Sequence, residues 1–105
     1  MEVKLQVSPK TGKKWRVTFP DGKRVDFGAA GMSDYTKHRD ATRMRSYVKR
    51  HGGMGETWSK KGVKSAGFWS RWLLWSEPSL KGAIAYMNNR FGIKIKRARD
   101  GLRTK

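Results

Sequence analysis

The chain has 105 residues, of which 25 are lysine or arginine and eight are aspartate or glutamate, giving a formal charge of +17. Without a single cysteine it can build neither disulfides nor thiolate metal sites. A hydrophobic fraction of 36% leaves a small core that must lean on its aromatic side chains.

The opening residues Met1-Glu2-Val3-Lys4 lack an apolar signal region and no run approaches a membrane span, so a soluble protein of intracellular origin is expected. Val3-Lys4-Leu5-Gln6-Val7 alternates apolar and polar residues, the pattern of a half-buried strand. After a turn at Ser8 to Gly12, Trp15, Val17 and Phe19 alternate with Arg16 and Thr18, and Val25 and Phe27 with Arg24 and Asp26. Pro20-Asp21-Gly22 lies between them, so the spacing predicts a hairpin with those five apolar residues on its inner face. The first strand adds to it, since a lone hairpin is marginal in water.

Gly28 to Gly31 interrupts the pattern. A helix follows, starting at Ser33 or Asp40 and running to about His51, with Ala41, Met44, Tyr47, Val48 and His51 on one face. Arg39, Arg43, Arg45, Lys49 and Arg50 occupy the other, and Gly52-Gly53 supplies the stop. Met54 to Val63 reads as a loop from which Trp58 folds back onto the core. Ser65 or Gly67 opens a tryptophan-rich helix that Pro78 closes; Phe68, Trp72 and Trp75 share one face at i, i+4, i+7. Ser79 caps a further helix bearing Leu80, Ala83, Ile84, Met87 and Phe91, which ends at Gly92. Ile93-Lys94-Ile95-Lys96 is a short last strand able to join the sheet.

The sum is an α+β domain over residues 1–96, a small antiparallel N-terminal sheet packed by about three short helices, with a basic flexible tail over 97–105. Its expected core is Trp15, Phe19, Phe27, Phe68, Trp72, Trp75, Ile84 and Met87. Arg71 points away from that core, and Trp69 is the aromatic left over to meet a partner.

Catalysis is not expected. His38 and His51 lack metal-pair spacing, the acids Asp21, Asp34, Asp40 and Glu77 fall in turns or at helix ends, and Gly52-Gly53-Met54-Gly55 lacks the Gly-Lys-Ser/Thr of a phosphate loop. No cofactor, metal or small-molecule substrate is called for. Binding of polyanions is better supported, because self-repulsion of this size is relieved by an anionic partner. The cations expected to meet it are Lys13, Lys14, Arg39, Arg43, Arg45, Lys49, Arg50, Lys60, Lys61, Lys64, Arg71, Lys94, Lys96, Arg97 and Arg99. Charge alone fits sequence-independent nucleic-acid contact and acidic faces of neighbouring proteins equally.

Val17-Thr18-Phe19-Pro20-Asp21-Gly22-Lys23, Asp26-Phe27-Gly28, Ser33 to His38, Arg50-His51, Trp58 and above all Ala66 to Trp75 with Pro78-Ser79-Leu80 resemble a known group. It comprises small basic proteins of unknown function encoded by large double-stranded DNA viruses of algae and protists. The resemblance spans about residues 8 to 91 and carries no catalytic residues. It implies a place in the virion or the infected host cell. There the first expectation is a non-enzymatic minor-capsid or glue protein binding acidic faces of other capsid proteins, and the alternative a sequence-independent DNA-binding or packaging protein.

Overall fold

A computed structural model describes residues 1–52 and 58–98. Strands β1 (Glu2–Val7), β2 (Lys13–Thr18) and β3 (Arg24–Ala29) form an antiparallel meander, as the alternation requires. Leu5 faces Val17 and Trp15 faces Phe27, so the predicted inner residues share one face. The hairpin turns at Pro20-Asp21-Gly22, where Gly22 takes φ 89° and donates its N–H to the Phe19 carbonyl at 2.9 Å.

The last strand, β4 (Lys94–Arg97), joins β1 in parallel, giving the order β3-β2-β1-β4 and a mixed sheet in place of the expected antiparallel one. Parallel pairing follows because the helices return the chain to the same end of the sheet, where Lys94 donates to the Met1 carbonyl at 2.8 Å. Arg97 is still in the strand and Ala98 still bonds to the Leu5 carbonyl, so the domain runs past the boundary expected at residue 96. The rest of the expected tail, residues 99–105, lies outside the described residues.

Between β3 and β4 come α1 (Tyr35–His38), α2 (Ala41–Gly52), a 3₁₀ turn (Lys60–Gly62), α3 (Ala66–Trp69) and α4 (Leu80–Phe91). The helix expected from Ser33 or Asp40 is thus two. Arg39 breaks it at φ 57°, and Asp40 restarts it by accepting the N–H groups of Thr42 and Arg43.

The larger departure is in the tryptophan segment. The spacing predicts one α-helix to Pro78, but after Trp69 the chain widens into a π-turn over Ser70–Leu74. Closure from i to i+5 sets one more residue in the turn and broadens the buried arc. Phe68, Trp69, Trp72, Leu73 and Leu74 are all buried as a result. Trp69, expected to be left over, is completely buried against Phe19, Phe27 and Phe68, with its indole N–H donated to the Val63 carbonyl at 2.6 Å. Trp75 is instead half-buried, stacked on Tyr47 at 4.3 Å and 2°.

The core lies between the inner sheet face and the α3, π-turn and α4 segment. Phe19, Phe27, Phe68, Trp72 and Met87 are buried as expected, while Trp15, Ile84 and Trp58 pack at its margin. Gly28 matters to this packing: at φ 80° it faces Leu74, and a Cβ there would come within 2.9 Å of the Leu74 Cδ1.

On the opposite sheet face Asp26 accepts from Arg16 Nε at 2.9 Å and from Ser8 Oγ at 2.6 Å. The Arg16 hydrogen bond, supported by that of Ser8, holds the carboxyl below its ordinary value of 3.8. Its stabilising effect is therefore complete above the unfolded value and lost as pH falls through the lower folded one. Replacing Asp26 with Asn should lower stability at neutral pH and flatten its decline below about pH 4, as read by urea midpoints along a pH series.

Candidate nucleic-acid interface

The described acids are mostly engaged inside the protein. Asp34 is buried, takes the Lys14 ammonium at 2.5 Å, and also accepts the Thr36 N–H and hydroxyl. Asp26 holds Arg16, Asp21 holds Lys64 at 2.7 Å, and Asp40 caps α2. Among the described residues, three carboxylates spent on three cations leave most of the basic side chains without an acidic partner.

The densest part of that surface is α2. Met44, Tyr47, Val48 and His51 turn inward, Tyr47 lying between Trp75 and His51 at ring separations of 4.3 and 4.1 Å. Outward stand Thr42, Arg43, Arg45, Ser46, Lys49 and Arg50, all exposed. No acid occurs anywhere in the helix, although Arg45 and Lys49 sit at i, i+4, where an acid would normally stabilise it. Its last-turn cations do complement the helix dipole. Arg39 continues the basic ridge at the N-terminal side.

The remaining expected cations divide. Lys13, Lys60, Lys61, Lys94 and Lys96 are exposed. Lys14, with its side chain 11% exposed and bound to Asp34, is withdrawn from any outside partner. Lys64 is partly spent on Asp21 and lies 4.5 Å over the Phe19 ring. Arg97 sits 5.3 Å over Trp15, and Arg99 lies outside the described residues.

Arg71 corrects a second expectation. Far from pointing away from the core, it folds over Trp72 at 4.3 Å and toward Trp58 at 5.5 Å, and donates to the Trp75 carbonyl at 2.8 Å. It thereby closes the end of the π-turn, together with the Ser76 hydroxyl donating to the Trp72 carbonyl. Burial draws its guanidinium below the ordinary arginine value, and its buried Nε has no partner among the described residues. Arg71 is a structural brace.

Sequence reasoning passed over Lys4. In β1 it faces away from Val3 and Leu5, and β4 sets Lys96 directly opposite, a like-charge pair beside Lys94, which itself stands opposite Glu2. Strand alternation shows which face Lys4 takes, but only the parallel pairing of the chain ends brings Lys96 beside it. Thr42 and Ser46 were legible on a helical wheel, centred among the α2 cations.

A cleft of about 330 Å³ opens beside α2, lined by the start of β2, the loop after β3, the inner side of α2 and the π-turn. Arg50 belongs both to this cleft and to the outer basic ridge.

Residues 3–51, a little under half of the chain, match a family of unknown function, DUF5754. That stretch takes in β1 to β3, α1 and nearly all of α2. No curated protein and no solved structure matches.

Proposed function

We propose that this protein is a non-enzymatic binding module that docks the outer face of α2 on the phosphate backbone of nucleic acid without reading its sequence. The observation that carries the reading is the composition of that face: Arg43, Arg45, Lys49 and Arg50 around the hydroxyls of Thr42 and Ser46, with no acid and no large apolar side chain. Arginine, lysine, serine and threonine are the side chains that contact phosphate oxygens. From Arg43 to Arg50 the helix rises about 10 Å, which matches about three nucleotide steps of one strand.

A glue protein between capsid subunits shares the charge but needs more. Stable protein interfaces have a desolvated apolar centre with aromatic anchors. The exposed large hydrophobics among the described residues are Met1, Val7 and Met32, and none lies on α2. The phosphate reading is therefore favoured over the acidic-protein reading. Within the viral setting implied by the resemblance, it corresponds to neutralising or packaging a genome.

The test is fluorescence anisotropy with two duplexes of unrelated sequence at about 50 mM salt. Equal binding of both supports the reading; no binding to either removes it and returns the basic surface to an acidic protein partner.

A further inference from the structure

The cleft beside α2 has its own chemistry. We infer that it holds a terminal phosphate monoester, carried either by a free nucleotide or by the end of a nucleic-acid strand; the second source rests on the nucleic-acid reading above, the first does not. At about 330 Å³ the cleft is at the lower end of small-ligand sites and far too small for a duplex.

Its wall presents two cations, Lys13 and Arg50, neither of which has an acidic partner among the described residues. It also presents the hydroxyls of Ser33 and Ser70, which make no hydrogen bond within the described protein. The one carboxylate in the lining, Asp34, would repel an anion if it were bare. It is covered by the Lys14 ammonium at 2.5 Å and by the Thr36 N–H and hydroxyl, so its charge is already met.

The aromatic wall is consistent with the same sign of ligand. Tyr47 has one ring face on Trp75 and the other on His51, so what it can turn to the cleft is its edge. Ring edges carry the positive end of the quadrupole and suit an anion better than a cation. A monoester carries roughly −1.5 to −2 charges and three terminal oxygens at neutral pH, against about −1 for a backbone diester. Two free cations and two free hydroxyls match the monoester.

The experiment compares one single-stranded oligonucleotide with and without a 5′-phosphate, and titrates a nucleoside 5′-monophosphate and inorganic phosphate alongside. Ser33→Leu and Ser70→Leu block the cleft without changing its charge. Ser33 is exposed in a loop and makes no side-chain bond, so its variant reports even if Ser70→Leu unfolds. A preference of about tenfold or more for the phosphorylated strand, lost in the variants, assigns the cleft to strand ends. Equal strand binding with saturable nucleotide binding, lost in the variants, assigns it to free nucleotides. Failure of both oligonucleotides removes the nucleic-acid reading; saturable nucleotide binding that the variants lose then still assigns the cleft to free nucleotides, and its absence overturns the inference. Equal strand binding with no nucleotide binding overturns the inference, as does any preference that survives both substitutions.

Discussion

Replacing Trp69 with alanine should leave little folded protein at room temperature. The side chain is fully buried and touches the rings of Phe19, Phe27 and Phe68, so it joins the sheet to the π-turn. Truncating a buried tryptophan costs about 3–5 kcal/mol through lost burial and the cavity left behind. Loss of the 2.6 Å indole bond strands the Val63 carbonyl and adds about 1 kcal/mol or more. Total stability of a small domain is about 5–15 kcal/mol, and self-repulsion places this one toward the low end. Trp69→Phe keeps most of the ring and should cost roughly half as much. Thermal melts of the two variants check the order. A near-normal melt for the alanine variant would mean that Trp69 does not hold the core.

The largest functional effect should come from removing charge on α2. In the triple variant Arg43→Gln, Lys49→Gln, Arg50→Gln, three cations go while the core-facing residues stay. Affinity for nucleic acid scales with salt at a slope of about −0.9 per phosphate contact, so losing three contacts lowers binding about a thousandfold at ~50 mM salt. Stability should hold or rise, because self-repulsion falls. That divergence separates a binding defect from a folding defect. Lys94→Gln with Lys96→Gln, on the outer sheet face, serves as the control and should cost far less. If the two variants lose affinity equally, the contact is spread over the surface and α2 has no special role.

How much of this was legible in the sequence depends on how local each feature is. Alternation in β1 to β3 and the Pro20-Asp21-Gly22 turn gave the meander, and the stripe from Leu80 to Phe91 with Ser79 before it gave α4. The outward cations of α2 followed from the same periodicity. A 3.6-residue period sets Trp69 off the core face, but the chain there passes into a π-turn, whose wider closure is stabilised by partners outside the segment. One is the Val63 carbonyl; another is the Trp58 carbonyl, which accepts the Trp72 indole at 2.7 Å. The same period sets Arg71 outside, although its guanidinium turns back over Trp72 to cap the turn. Lys14 looked like any other surface lysine until the fold brought Asp34, twenty positions away, against it. The neighbouring of Lys4 and Lys96 likewise depends on pairing between the two ends of the domain.

The claim that α2 carries the phosphate contacts is tested most directly by the salt dependence of binding. The measurement is the slope of log affinity against log salt for the parent protein and for the Arg43, Lys49, Arg50 triple glutamine variant on the same duplex. The parent should give a steep negative slope and the variant one shallower by about 2–3, one contact being lost per residue replaced. Equal slopes in the two proteins would contradict it, placing the phosphates elsewhere on the molecule.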